Sequence, residues 1–163
     1  MDFDNKKFEQ ISASMDELMP LLNERIAAGQ VVKFSPKGIS MLPMLRSGRD
    51  TVTLSSISRK IKKYDIVLYR RDDGKYVLHR IISLGDTYTL IGDNQFQKEY
   101  GIRPGQIIAL VVAFTRDERV ISTESFLYRF YCVFWNYTRF PRRVFRAIKW
   151  RLKKLFNRGN VNE

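Results

Sequence analysis

One imidazole, eleven serine hydroxyls and a scatter of carboxylates are the groups with which this 163-residue chain can do chemistry. The imidazole is His79, the single histidine, and the single thiol is Cys132. One of each excludes multi-histidine metal sites, thiolate clusters and an internal disulfide. The glycines are scattered and form no phosphate-binding loop, so neither a metal nor an organic cofactor is expected. An imidazole beside a serine can accept a proton near neutral pH and return it to a leaving group, since its ordinary pKa is about 6.5. The serine hydroxyl needs such a base to become a useful nucleophile. A carboxylate on the other ring nitrogen fixes the tautomer and stabilises the imidazolium. Counting alone does not pair any one serine with His79.

Four short segments narrow the choice. Gly38-Ile39-Ser40-Met41-Leu42-Pro43-Met44-Leu45 resembles the Ser-Met-x-Pro nucleophile box of type I signal peptidases. Tyr64-Asp65-Ile66-Val67 is similar to the Gly-Asp-Ile-Val strand of that family, with Tyr in place of Gly. Val77-Leu78-His79-Arg80-Ile81 resembles the His-Arg motif of the endoplasmic-reticulum and archaeal branch. Most bacterial members, and the related SOS-repressor peptidases, carry Lys there. Ile91-Gly92-Asp93-Asn94 resembles the Gly-Asp-Asn box. The resemblance runs from about Val31 to Val112, and it rests on the motifs' shared order and spacing rather than on any one of them.

That resemblance implies Ser40 as nucleophile and His79 as its base. It implies an oxyanion hole from the Ser40 N–H and from the position two residues earlier, where the family often has a serine hydroxyl and this chain has Gly38. Either the Gly38 backbone serves, or the hole is weaker. Two acids are candidates for orienting His79: Asp93 within the box, taken first, and Glu99 six residues on. Met41 and Pro43 are expected to shape the turn behind the nucleophile, Gly92 and Asn94 to complete the box, and Arg80 to serve as a packing or salt-bridge residue.

The elements that must position these residues fall into three zones, read as an N-terminal helical segment (1–29), a β domain (30–120) and a helical tail (121–163). In the first, Phe8, Ile11, Met15, Leu18, Leu22 and Ile26 recur at helical spacing. Ser14 and Glu17 suit a capping box, Gly29 suits a C-terminal cap, and Pro20 predicts a kink or two shorter helices. In the second, strands are predicted at 31–34, 51–54, 65–69, 76–84, 88–91 and 107–114, with hairpin signals at Asp72-Asp73-Gly74 and Gly85-Asp86. Short strands at this spacing predict a mainly β protein with an antiparallel, barrel-like sheet.

The tail is unlike the rest. Residues 126–156 hold eleven of the twenty-one aromatics, and Arg129 to Arg158 holds ten Lys or Arg and no acid, with Pro141 expected to divide two helices. This composition suits a helix lying in a membrane interface, with apolar side chains down and cations on the headgroups. The formal charge of +12 points to an anionic partner, here an anionic membrane surface rather than nucleic acid, for which no recognised motif is present.

The polar start does not read as a signal peptide, and no stretch nears the roughly 20 apolar residues expected of a spanning helix. The expectation is a cytoplasmic serine endopeptidase, docked peripherally on the inner face of the membrane. Its substrate would be a peptide or leader, with small side chains at the cleavage position implied by the resemblance. Two alternatives are a non-catalytic adaptor of the same fold and a regulator cleaving itself at Ala28–Gly29.

Overall fold

The computed structural model describes residues 15–159. A helix, α1 (Met15–Ala27), leads into eight strands: β1 (Val32–Phe34), β2 (Thr51–Ser55), β3 (Ile66–Arg70), β4 (Tyr76–Ser83), β5 (Tyr88–Ile91), β6 (Glu99–Ile102), β7 (Ile107–Arg116) and β8 (Arg119–Ser122). Helices α2 (Phe126–Tyr137) and α3 (Arg139–Gly159) follow. Every pairing is antiparallel, in the order β1-β2-β7-β3-β4-β5-β6, with β8 on β7. Among the described residues the ladder is open between β1 and β6, so the mainly β expectation holds as an eight-stranded open sheet, not a closed barrel.

Strand alternation splits the core in two. Ile66 and Leu68 of β3 and Leu78 of β4 point to one face, where they meet Met19, Leu22 and Ile26 of α1, Met41 and Leu45 of the β1–β2 connection, and Tyr128 and Cys132 of α2. Val67 and Tyr69 of β3, Ile81 of β4, Leu90 of β5 and Ile102 of β6 form the other. Since β3 lies inside the sheet with both faces covered, it reads as an uninterrupted apolar run rather than an alternating one. Helices α1 and α2 therefore share one core with the sheet.

Three local expectations change. Of the two expectations at Pro20, the division into two helices does not occur: it stands inside a single helix, since one proline removes only one backbone bond while Met19, Leu22 and Ile26 still anchor the buried stripe. Pro141 does not divide the tail helices. The break is at Thr138, and Pro141 sits in the first turn of α3, where its missing N–H has no intrahelical partner to lose. β6 and β8 add two strands to the six that the sequence predicts. Phe8, Ile11 and Ser14 lie outside the described residues. The turn at Gly74 (φ 86°) between β3 and β4 sets their register, which pairs Val67 with His79 and Ile66 with Arg80.

Candidate active site

Successive residues on a strand face opposite ways, so β4 sends His79 and Arg80 to different sides of the sheet, and each is the centre of its own polar cluster.

His79 is 1% exposed, on the same face as Tyr69 and Glu99. Its Nδ1 lies 3.1 Å from Glu99 Oε1 and 3.2 Å from the Tyr69 hydroxyl. Tyr69 donates its one proton to Glu99 Oε2 at 2.7 Å, and the Arg71 guanidinium grips the same carboxylate through Nε (2.8 Å) and Nη2. Both oxygens beside Nδ1 are thus acceptors, which places the imidazole proton on Nδ1 and leaves a lone pair on Nε2. That Nε2 is buried and bonds no described group.

β3 and β6 are three strand spacings apart, about 14 Å. Tyr69 and Glu99 nevertheless meet, so the sheet curls to make this face concave. Burial pushes the His79 pKa down to about 4, against the raising influence of Glu99, with Arg71 adding to the depression. The ring is therefore neutral at neutral pH. Burial raises the Glu99 carboxyl, but the bonds from Arg71 and Tyr69 outweigh it and hold the group ionised, below its ordinary range.

Across the sheet Arg80 forms a two-pronged ion pair with Asp93, Nε to Oδ1 at 2.8 Å and Nη2 to Oδ2 at 2.6 Å, both side chains being fully buried. Arg80 Nη1 donates to the Tyr64 carbonyl (2.9 Å), the Tyr128 hydroxyl (3.0 Å) and Cys132 Sγ (2.8 Å). The order of the two acids thus reverses. Glu99, not Asp93, contacts the imidazole, because both Asp93 oxygens are committed to Arg80. Tyr64, at the position where the motif would have glycine, adopts φ 75°, a left-handed conformation that disfavours a side chain by about 1–2 kcal/mol.

Ser40 lies in the connection between β1 and β2. Buried Asp50 draws that connection closed: its carboxylate accepts from Arg46 N (2.9 Å), from the Arg46 guanidinium and from Arg116 Nε (3.2 Å), while Arg116 Nη2 also reaches the Pro43 and Met44 carbonyls. Met41 is buried in the core and Pro43 is exposed at the turn. The other side of the loop rests on the turn after β5. Asn94 N donates to Ser40 O at 2.8 Å and Asn94 Nδ2 to Ile39 O at 3.1 Å. A Cβ placed on Gly92 would stand 2.7 Å from Ser40 O, so glycine is what lets these two segments meet.

Tail side chains brace the same turn. Trp135 Nε1 donates to Asp93 O (3.0 Å), Arg139 Nη1 to the Gly92 (3.1 Å) and Gln95 carbonyls, and Arg146 Nη2 to Asn94 Oδ1 (2.6 Å).

The structure therefore brings Ser40 to Gly92 and Asn94, His79 to Glu99, and Arg80 to Asp93. It does not join Ser40 Oγ to His79 Nε2 by a hydrogen bond. Gly38 has φ 103°, and its N–H donates to Ser47 Oγ at 3.0 Å, so that amide is engaged as the loop stands. Two open cavities, of about 480 and 290 Å³, lie elsewhere: one beside Arg70, Tyr76 and Arg103, the other between Tyr64 and α2. The Ala28–Gly29 bond is held in the turn that ends α1, with Gly29 at φ 74° and the Ala28, Gly29 and Gln30 amides all bonded back to helical carbonyls.

Motif reading missed Tyr69, Arg71 and Asp50. Tyr69 was within reach of it, since the Asp72-Asp73-Gly74 turn and strict alternation put Tyr69 diagonal to His79 on one face. Nothing local marks Arg71 or Asp50. Compared with protein-family models, with curated proteins and with solved structures, the chain matches none.

Proposed function

We propose that this chain is a serine endopeptidase of the signal-peptidase type, with Ser40 as nucleophile, His79 as general base and Glu99 as the acid that orients it. The observation that carries this reading is the asymmetry of His79. One ring nitrogen is enclosed by a built cluster of Tyr69, Glu99 and Arg71, which draws the ring proton to that side, while the other is buried and bonds none of the described residues. A buried imidazole serving structure alone would be expected to satisfy both nitrogens.

In the reaction Ser40 Oγ attacks the scissile carbonyl as Nε2 takes the hydroxyl proton. The developing imidazolium is stabilised by ionised Glu99, and the proton passes to the leaving amine as the C–N bond breaks. Water then repeats the sequence on the acyl-enzyme, releasing the second product and restoring Ser40. The Ser40 amide, in the same peptide unit as the Ile39 carbonyl that Asn94 Nδ2 holds, is the first oxyanion donor. Gly38 N–H is the second once it exchanges Ser47 Oγ for the oxyanion. Both Ser40 Oγ and this amide must shift for attack, which binding of an extended peptide along the loop would drive.

A second reading has a specific observation in its favour: the missing hydrogen bond between Ser40 and His79 suits an adaptor that keeps the fold without catalysis. Self-cleavage at Ala28–Gly29 is disfavoured because that bond sits in a hydrogen-bonded turn rather than an extended segment. Incubation of a diverse peptide mixture with the protein, read by mass spectrometry, separates the readings. The peptidase yields new termini that are absent with Ser40→Ala and with His79→Ala, a loss of at least about 10³-fold. Identical product spectra from wild type and Ser40→Ala would leave the adaptor as the better account.

A further inference from the structure

We propose that the outward face of the α2–α3 pair docks on a bilayer surface rich in anionic lipid. α2 has two faces. Tyr128, Cys132 and Trp135 turn inward, to the core, Arg80 and the Asp93 turn. Phe126, Leu127, Phe130, Val133, Phe134 and Tyr137 fall within an arc of roughly 120° on the other side, at 100° per residue. All six are exposed, Phe126 to 81% and Tyr137 to 79%. In α3, exposed Phe140, Val144, Phe145 and Ile148 share an arc of roughly 140°, with Arg142, Arg143, Arg146 and Lys149 opposite. From residue 139 to 149 only Arg139 and Arg142 are even half-buried. Apolar stripes of this extent mark contact surfaces.

Charge decides among occupants. Residues 126–159 carry ten Lys or Arg and no acid. A second copy of the chain related by a two-fold axis would bring together two such segments with no acid in either to offset the cations. Single-stranded nucleic acid is held by aromatics and cations on one shared face, whereas here the two are segregated. An apolar stripe on a helix whose other side is cationic matches the acyl boundary with its anionic headgroups, each cation that reaches them contributing about 1 kcal/mol. No described helix is long and apolar enough to cross a membrane, so the geometry is one of lying on the surface. The face contains neither Ser40 nor His79, and the proposal stands whether or not the chain is a peptidase.

The test uses the full chain carrying Ser40→Ala, co-sedimented with phosphatidylcholine vesicles with and without about one third phosphatidylglycerol. We expect binding to the anionic vesicles at least about tenfold tighter than to the neutral ones, weakening several-fold as salt rises from about 0.1 to 0.5 M. The double variant Phe130→Ser/Phe134→Ser, whose side chains face outward, should keep its melting transition and bind at least about tenfold more weakly. Failure to bind anionic vesicles, or unchanged binding by a folded double variant, overturns the proposal. So does a dimer in light scattering that the double variant dissolves, or tighter binding to single-stranded RNA than to the vesicles.

Discussion

An imidazole with a neutral ring, a proton fixed on Nδ1 and a bare Nε2 is prepared to accept a proton, and Tyr69, Glu99 and Arg71 make it so. The two acids near it separate by role, and substitution should separate them by symptom. Glu99→Gln keeps the size and most of the bonds but removes the charge that steadies the imidazolium. We expect kcat to fall by about 10²-fold or more with the melting temperature shifted only slightly. Asp93→Asn leaves the Arg80 guanidinium buried without a counter-charge, which typically destabilises a fold by about 3–5 kcal/mol. The loss there should appear first in urea unfolding. Equal damage to kcat at unchanged stability from both variants would contradict the assignment. The pH profile tests the ring itself. With a pKa near 4, kcat/KM, which reports the free enzyme, should be level from about pH 6 to 7.5 and decline only well below 6. An ordinary histidine would already be half protonated near 6.5. An acid limb centred there would show that the imidazole is not desolvated in the protein as it acts, and would count against the proposed base.

The Ser40 loop is positioned from three directions: by Asp50 with Arg46 and Arg116 at its base, by Met41 in the core, and by the turn after β5 against the Ser40 carbonyl. That last contact is set by the absence of one atom. In Gly92→Ala the new Cβ would press on backbone at 2.7 Å, closer than real contacts allow, so the Ser40 segment or the turn must shift. A shift near 1 Å at a reacting group is worth about 10²-fold in rate, with overpacking adding about 1–3 kcal/mol of instability. Steady-state kinetics beside a melting curve reads both, and wild-type kcat in Gly92→Ala would rule the turn out as a positioning element. The same elements show how much the sequence discloses. Six strands are legible because β-branched and aromatic residues crowd them and turn residues bound them, and the hairpin signal at Asp72–Gly74 fixes the β3–β4 register. β6 (Glu-Tyr-Gly-Ile) and β8 (Arg-Val-Ile-Ser) escape notice because both are four-residue strands at the sheet's margin, held by one neighbour rather than by their own propensity. Nothing in the local sequence of β6 places Glu99 beside His79. Only the ladder from β4 through β5 to β6 brings it onto the His79 face, while the motif count favoured Asp93, which alternation delivers to Arg80.

At the scale of the whole molecule, buried ionisable groups make stability depend on pH, and the direction follows from His79. Its folded pKa is about 4 and its ordinary value 6.5. Between those values the unfolded chain binds more protons than the folded one, so stability rises with pH across the window and falls as the solution is acidified. That gap corresponds to roughly 3 kcal/mol at full extent, a large share of the roughly 5–15 kcal/mol that holds most domains together. The carboxylates act in the same sense at lower pH. Burial works against ionised Asp50 and Glu99, but their arginine partners hold both below the ordinary range, and protonation breaks those bonds. Acid also removes negative charge from a chain that already has 29 Lys and Arg against 17 Asp and Glu, so self-repulsion grows as the buried pairs fail. Urea midpoints measured from pH 7.5 down to 4 should therefore drop steeply, beginning near 6.5. In His79→Gln, which has no titrating ring, the slope between 6.5 and about 5 should largely vanish while the carboxylate-driven loss below 5 remains. If wild type and His79→Gln lose stability in parallel across that upper window, the ring is not buried in its neutral form, and the general base assigned to this site loses its physical foundation.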